Sequence, residues 1–236
     1  MSRYQRSVVL VTWLWRNGWR PGMYDHRHVN RLYRQLQRHM TGKWKLVCVT
    51  DDPTGIECET FPLWSMPEPL LPELKDPTPN CYARLKLFDP GTACLFGADL
   101  LVSIDLDTTV YRDLSPLFTD EPFKIMRNER ADTAKYCGTL WQLRPGAHPE
   151  VWRDYDPVLT PHITYTDLGL YGSDQAWLSH KIPDAPTWGP RDGVLWNKRC
   201  RTHKLQDGVR LIYFAGDTKP WDEKCRLTHP ALYTPL

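Results

Sequence analysis

Two aspartates, Asp105 and Asp107, stand two residues apart directly after the apolar run 100–104. A buried strand would deliver both carboxylates into the turn at its carboxyl end, the edge at which open α/β sheets bind ligands. Paired hard oxygen ligands suit Mg²⁺ or Mn²⁺, with the remaining positions left to water and phosphate. Such an ion could neutralise charge on a departing diphosphate. Aspartate is also common in ordinary solvated turns, so the pattern has a plain structural alternative.

Strands and helices alternate along the sequence around these carboxylates. Residues 7–13 are apolar on both faces, which is typical of a central strand in a covered parallel sheet. Residues 26–40 follow a helical period and Trp44–Thr50 reads as a strand, so the chain opens with a right-handed strand–helix–strand unit. Further strands are predicted at 99–104, Tyr136–Leu143 and 210–214, and helices at 81–88 and 173–181. We therefore expect a single α/β domain over residues 1–236, with a mostly parallel central sheet of about seven strands flanked by helices.

The composition narrows the class of protein. A chain of 236 residues can bury a sizeable core and fits one large α/β domain. Its net charge of +2 points neither to nucleic acid nor to a membrane. Seven cysteines without C-x-x-C spacing argue against a zinc site and a secreted disulfide framework. No stretch approaches the ~20 apolar residues of a membrane span, and the run 7–15 lacks a signal-cleavage site, so we expect a cytoplasmic protein without membrane insertion.

Four short motifs follow one another over nearly the whole chain. They are Val11-Thr12-Trp13 with Tyr24, the basic segment 82–88, Ile104-Asp105-Leu106-Asp107-Thr108, and Gly216-Asp217-Thr218-Lys219-Pro220-Trp221. The set resembles the GT-A glycosyltransferases of the glycogenin and bacterial lipopolysaccharide galactosyltransferase kind, and most closely small phage and bacterial enzymes of that type. The resemblance implies a GT-A-like domain that transfers a sugar from a nucleotide-sugar donor, by analogy a UDP-hexose.

The resemblance also implies roles for single residues. Asp105 and Asp107 would hold Mn²⁺ or Mg²⁺, and Lys219 would bind the donor diphosphate as a point charge. Thr12 and Tyr24 would border the uracil and the ribose. The donor site as a whole would comprise Thr12, Trp13, Tyr24, Arg84, Asp105, Gly216 and Lys219.

A carboxylate and an amide, Asp174 and Gln175, stand at the predicted start of the helix 173–181. They resemble the family's D-Q pair, which faces the donor sugar. The resemblance implies that Asp174 is the catalytic carboxylate nearest the reacting carbon, that Gln175 lies beside it, and that the sugar keeps its anomeric configuration. The structural alternative is that Ser173 or Asp174 caps the helix.

One departure from the family pattern concerns the metal. Enzymes of this kind complete the metal site with a histidine at the position of Tyr213 or Ala215. Because neither residue is a histidine here, the ion would depend on the two aspartates or take a further ligand such as His203.

A phosphatase is the alternative from another enzyme class. Asp105-Leu106-Asp107-Thr108-Thr109 also fits the nucleophile motif of haloacid-dehalogenase-like phosphatases, with Asp105 as nucleophile and Asp107 as general acid–base. Against it, that nucleophile strand normally opens the fold, whereas about a hundred residues precede it here. The motif Lys219-Pro220-Trp221 also has no role in a phosphatase of that kind.

Two basic clusters suggest a polyanion such as nucleic acid as a partner. In the helix 26–40, arginines recur at helical spacing opposite the apolar face, and a second cluster follows residue 197; the members are Arg27, Arg31, Arg34 and Arg38, then Lys198, Arg199, Arg201, His203 and Lys204. Such surfaces could bind phosphates, which would make modified phage DNA a candidate acceptor. The alternative is a solvated helix face.

Overall fold

The computed structural model describes residues 6–15, 23–66, 80–129, 134–168, 173–200, 207–216 and 218–236. Some sequence predictions lie outside these ranges, among them those for Arg201, His203, Lys204 and Asp217. Within the described ranges, no helix is both long enough and apolar enough to cross a lipid bilayer.

Ten strands and six α-helices are present in the described residues. The strands are β1 (Val8–Leu14), β2 (Trp44–Thr50), β3 (Glu59–Pro62), β4 (Leu100–Ile104), β5 (Thr108–Val110), β6 (Phe123–Arg127), β7 (Tyr136–Leu143), β8 (Thr187–Trp188), β9 (Val194–Trp196) and β10 (Leu211–Tyr213). The helices are α1 (His26–His39), α2 (Pro90–Cys94), α3 (Glu150–Arg153), α4 (Leu159–His162), α5 (Asp174–Lys181) and α6 (Glu223–Thr228). Shorter 3₁₀ turns lie at Ser115–Leu117, Pro190–Asp192, Asn197–Arg199 and Pro230–Leu232, and a π-helical turn at Ile163–Asp167 follows α4.

Seven strands form the central sheet in the order β3-β2-β1-β4-β7-β6-β8. The pairs β3–β2, β2–β1, β1–β4 and β6–β8 are parallel, whereas β7 runs antiparallel to both of its neighbours. The sheet is thus mostly parallel and flanked by helices, which confirms the predicted fold class. A second, three-stranded sheet has the order β5-β10-β9 and brings the late strand β10 beside the segment that follows β4.

Apolar cores cover both faces of the central sheet. Successive residues of β1 alternate between them, since Val9 and Val11 belong to one core and Leu10 to the other. A strand that is apolar on both faces must be covered on both, which is the feature that made residues 7–13 recognisable as a central strand.

Helix α1 is fixed at its start by a side-chain cap. Asp25 accepts a hydrogen bond from the backbone N–H of Arg27, and the ring of His28 accepts one from the backbone N–H of Asp25. The apolar face packs under the sheet through Val29, Leu32 and Leu36. Full burial of each such side chain is worth roughly 1.5–3 kcal/mol.

The segment predicted as a helix at 81–88 is a 3₁₀ helix, Asn80–Phe88. Its buried residues Tyr82, Leu85 and Phe88 recur every three positions and are each 0% exposed. In a 3₁₀ helix, residues three apart lie directly above one another, so this spacing places all three side chains in one core. Arg84 is directed away from that row and reaches the carboxyl end of β4.

Candidate active site

The carboxyl end of β4 carries the two aspartates of the D-x-D motif. Strand β4 is entirely buried, and the turn that follows is tied to its neighbour because the N–H of Asp105 donates to the carbonyl of Thr139 in β7, at 3.0 Å. Inside the turn, the Thr108 hydroxyl donates to the carbonyl of Asp105 at 2.8 Å. The backbone of the turn is therefore held from two sides, while both aspartate side chains keep partial exposure.

Arg84 joins this turn to the helix α5. Its Nη1 lies 2.5 Å from Oδ1 of Asp105, and its Nη2 lies 2.6 Å from Oδ2 of Asp174. Nη1 also donates to the carbonyl of Gly138 at 3.1 Å. Burial alone would lower the pKa of Arg84, but Asp174 and Asp105 together raise it above its usual value. One guanidinium thus neutralises two carboxylates, the buried Asp174 and the partly exposed Asp105, which come from separate parts of the chain.

Gly138 makes room for that guanidinium. A Cβ at position 138 would lie 2.8 Å from Nη2 of Arg84, closer than such atoms approach one another. The N–H of Gly138 donates to Oε1 of Gln175 at 3.1 Å, so the backbone of β7 also orients the amide of Gln175. The contact of Gly138 with Arg84 was not predicted from the sequence. The available signal was a glycine in a strand of otherwise bulky residues, which often marks the close approach of another group.

Asp174 lies in the first turn of α5 and is only 2% exposed. Ser173 is the N-cap and accepts a hydrogen bond from the N–H of Ala176. Of the two candidates for the cap, Ser173 takes that place. The Asp174 carboxylate accepts a hydrogen bond from the N–H of Gln175, at 2.8 Å, and pairs with Arg84.

Asp107 is paired with a different cation. Nζ of Lys219 lies 2.6 Å from its Oδ2 and also donates to the carbonyl of Phe214 at 3.0 Å. The hydroxyl of Tyr24 donates to the same carboxylate at 3.3 Å. The first and last of the four sequence motifs therefore meet at Asp107, although about two hundred residues separate them.

The pKa of Asp105 reflects both its burial and the charges around it. Burial raises the pKa of Asp105, Arg84 lowers it, and the neighbouring Asp107 and Asp174 raise it again, to about 6. The three carboxylates pair with two cations, Arg84 and Lys219, and the buried guanidinium of Arg31 also interacts electrostatically with Asp107.

The D-x-D turn offers two carboxylates as ligands for a divalent metal ion. Across the described ranges, no three His, Cys, Asp or Glu side chains are grouped to hold a metal. Tyr213, at one position of the family's histidine, stacks on Trp196 at a ring-centroid distance of 6.5 Å, and Ala215 has no ligand atom in its side chain. Mg²⁺ and similar ions are often held by one or two carboxylates plus substrate phosphates. Asp105 and Asp107 fit an ion of that kind.

Only some of the other residues predicted for the donor site lie beside the D-x-D turn. Thr12 is 0% exposed, and its hydroxyl has no hydrogen-bond partner within the described part of the chain. Trp13 is also buried and donates through Nε1 to the Ser103 hydroxyl at 2.9 Å. Gly216 is exposed and has a positive φ of 93°. Three of the predicted residues, Tyr24, Arg84 and Lys219, contact the aspartates of the D-x-D turn. Thr12 and Trp13 lie within β1.

The prediction that four arginines of α1 lie on an exposed face is wrong for Arg31. Arg31 is 3% exposed and points into the protein, because it binds backbone and hydroxyl oxygens beside the D-x-D turn. Arg27, Arg34 and Arg38 are exposed, but Arg27 pairs with Asp25 and Arg34 with Glu57. The helix therefore offers less free positive charge than its sequence suggests.

Structures of known proteins share this architecture. An active-site mutant of LgtC gives a TM-score of 0.61 at 12% identity, over 92% of this chain and 90% of that one. The galactosyltransferase LgtC in complex with donor and acceptor sugar analogs gives 0.56 at 14% identity, over 94% and 92% of the two chains. The glycosyltransferase GlyE of Streptococcus pneumoniae TIGR4 gives 0.59 at 14% identity, over 93% of this chain but only 57% of that one.

These likenesses confirm the GT-A fold that the four motifs predicted. None of the three supports the haloacid-dehalogenase-like alternative. No protein-family model and no curated protein matches the sequence.

Proposed function

We propose that the chain is a glycosyltransferase that moves a hexose from a UDP-sugar to an acceptor. The observation that carries this proposal is the Arg84 bridge, which joins the D-x-D turn to Asp174 at the start of α5. Asp105 of the D-x-D motif and Asp174 of the D-Q pair lie far apart in sequence, yet both contact one guanidinium. The shared fold with glycosyltransferases of known structure supports the same reaction class.

In this proposal the D-x-D turn and Lys219 bind the donor diphosphate. Asp105 and Asp107 hold Mn²⁺ or Mg²⁺, and such an ion, when bound, neutralises charge on the leaving diphosphate. Lys219 adds positive charge on the diphosphate oxygens. Tyr24 and Gly216 contact the nucleotide, while Thr12 and Trp13 support that side of the site from within β1.

Asp174 and Gln175 act on the donor sugar. Arg84 balances the buried charge of Asp174, so that the carboxylate stays beside the reacting carbon as positive charge develops there. Gln175 is held by the backbone of Gly138 and contributes a second polar group. We expect the sugar to keep its anomeric configuration. An inverted product in an NMR assay of the anomeric proton would contradict this part of the proposal.

The test is a panel of nucleotide sugars, assayed for binding and for UDP release with Mn²⁺, Mg²⁺ or EDTA. We expect one UDP-hexose to be hydrolysed slowly in a metal-dependent manner, and Asp107→Ala to abolish this hydrolysis. A parallel assay with a phosphomonoester covers the phosphatase alternative. Phosphatase activity that is lost in Asp105→Asn, with no binding of any nucleotide sugar, would overturn the proposal.

Nucleic acid, such as modified phage DNA, is one acceptor to test. The exposed arginines of α1, Arg27, Arg34 and Arg38, could contact phosphates, although two of them already pair with acids. Binding of duplex DNA that weakens as salt rises would support this acceptor class. If the protein binds no duplex even at low salt, nucleic acid is not the acceptor.

A further inference from the structure

Arg31 is a buried cation beside the proposed donor site. It projects from α1 and is 3% exposed. Within the described ranges it forms no ion pair, and its hydrogen bonds go to carbonyl and hydroxyl oxygens. Burial lowers the pKa of Arg31 to about 10, so the guanidinium is still charged at neutral pH. A buried charge without a carboxylate partner is costly unless hydrogen bonds compensate it.

The oxygens that Arg31 binds belong to two segments far apart in sequence. On one side are the residues around the D-x-D turn, where Nη1 and Nη2 each lie 3.0 Å from the carbonyl of Thr108 and Nη2 lies 2.6 Å from the hydroxyl of Thr109. On the other side is the hydroxyl of Thr234, 2.9 Å from Nε and 2.7 Å from Nη2. The planar fork of arginine makes this simultaneous contact possible.

The second segment leads directly to Lys219. The N–H of Thr234 donates to the carbonyl of Pro220 at 2.8 Å, and Pro220 follows Lys219 in the chain. The guanidinium of Arg31 also lies 5.2 Å from the ring centroid of the next residue, Trp221. Arg31 therefore contacts the turn that carries Asp107 and, through Thr234 and Trp221, the segment that carries Lys219.

We propose that Arg31 is a positioning residue of the donor site, which fixes the D-x-D turn against the segment 218–234 and thereby sets the distance between Asp107 and Lys219. The functional part of this inference rests on the proposed glycosyltransferase activity. The link between the two segments does not, and it can be measured without any ligand.

The ligand-free test is hydrogen exchange of residues 105–110 and 218–234, followed by mass spectrometry. Three variants are compared: Arg31→Met removes the link, Arg31→Lys keeps the charge without the fork, and Thr234→Ala removes one end. Arg34→Met is the matched control, since Arg34 is an exposed arginine one turn further along α1. We expect faster exchange in both segments for the first three variants and unchanged exchange in the control. Exchange at wild-type rates in Arg31→Met or Thr234→Ala would overturn the inference, as would a fully protected Arg31→Lys variant.

The functional readout is the concentration of Mn²⁺ that gives half-maximal UDP release, together with Mn²⁺ affinity in the presence of UDP. We expect the affinity to fall about tenfold in Arg31→Met and less in Thr234→Ala, with the rate restored at saturating Mn²⁺. A merely structural role would lower the amount of active protein, and extra Mn²⁺ would not rescue it. Lost activity with unchanged Mn²⁺ affinity would therefore refute a positioning role. If wild-type protein binds no nucleotide, the proposed function fails, and hydrogen exchange still decides whether Arg31 joins the segments.

Discussion

Replacement of Lys219 by methionine should strengthen the binding of Mn²⁺ to the nucleotide-free protein. In the structure, Nζ of Lys219 lies 2.6 Å from Oδ2 of Asp107, and both side chains are largely buried, with 8% and 17% of their surfaces exposed. A divalent ion that approaches Asp107 must compete with this ammonium group. With UDP bound, the lysine can move its charge to the diphosphate, so the ion and the nucleotide should bind cooperatively in the wild type.

The size of the effect follows from the contact that the ion must displace. A hydrogen bond to a charged group contributes about 1.5–3 kcal/mol, and each 1.4 kcal/mol corresponds to a factor of ten. We therefore expect Lys219→Met to bind Mn²⁺ roughly ten- to a hundredfold more tightly without UDP, and to bind UDP more weakly. Tyr24 still donates to Asp107 in the variant, so the carboxylate keeps one partner.

The assay is a titration of Mn²⁺ followed by electron paramagnetic resonance of the free ion, with and without UDP. Lys224→Met, which removes an exposed lysine a few residues further on, is the matched control. Circular dichroism checks that both variants are folded. If Lys219→Met binds Mn²⁺ no better than the wild type in the absence of UDP, Lys219 does not compete with the ion and the reasoning is wrong.

Three further predictions concern the Arg84 cluster. Gly138→Ala should displace the guanidinium of Arg84, because a Cβ would lie 2.8 Å from its Nη2. We expect the free energy of unfolding in urea to fall by about 1–3 kcal/mol and turnover to slow at least tenfold. Wild-type values would show that Arg84 has room to shift. Arg84→Met leaves Asp105 and Asp174 without their cation and should lower the free energy of unfolding by about 3–5 kcal/mol in the same assay. A loss below about 1 kcal/mol would mean that other groups neutralise the two carboxylates. The pKa of Asp105 is about 6 in the folded state and 3.8 in the unfolded state, so the folded state binds this proton more tightly. The free energy of unfolding of the wild type, relative to that of Asp105→Asn, should therefore fall as the pH rises from about 4 to about 6. A difference that does not change with pH would contradict the raised pKa.

Local patterns were sufficient to predict the fold class, and they predicted five of the ten strands and two of the six α-helices in the described residues. The bounds of β2 and β7 agree with the predicted strands, and α1 ends one residue before the predicted end. Helix α1 is recognisable because it buries one face at helical spacing, whereas β2 and β7 are short, almost continuously buried runs. Both patterns are visible in a short stretch of sequence. The position of Asp105 and Asp107 after β4 could be predicted for the same reason.

Contacts between distant segments could not be predicted in this way. Helical spacing placed Arg31 on the polar face of α1, but its burial depends on Thr108, Thr109 and Thr234, which a helical wheel does not contain. Likewise, nothing near Gly138 in the sequence shows that a guanidinium from residue 84 passes over it. In both cases the decisive partner comes from another part of the chain.

The contact between Arg31 and Thr234 also bears on the order in which the protein folds. The two residues are 203 positions apart, which makes theirs one of the longest sequence separations among the hydrogen bonds described above. Pairings of this kind form slowly, because a large loop must close before the contact stabilises anything. During synthesis, α1 leaves the ribosome well before the segment that contains Thr234, since chains grow at about 5–20 residues per second. Until that segment arrives, the turn that carries Asp107 has only part of its support. The proposed donor site should therefore be among the last regions of the protein to mature, and a nascent chain should gain nucleotide affinity only when residues 218–234 have docked.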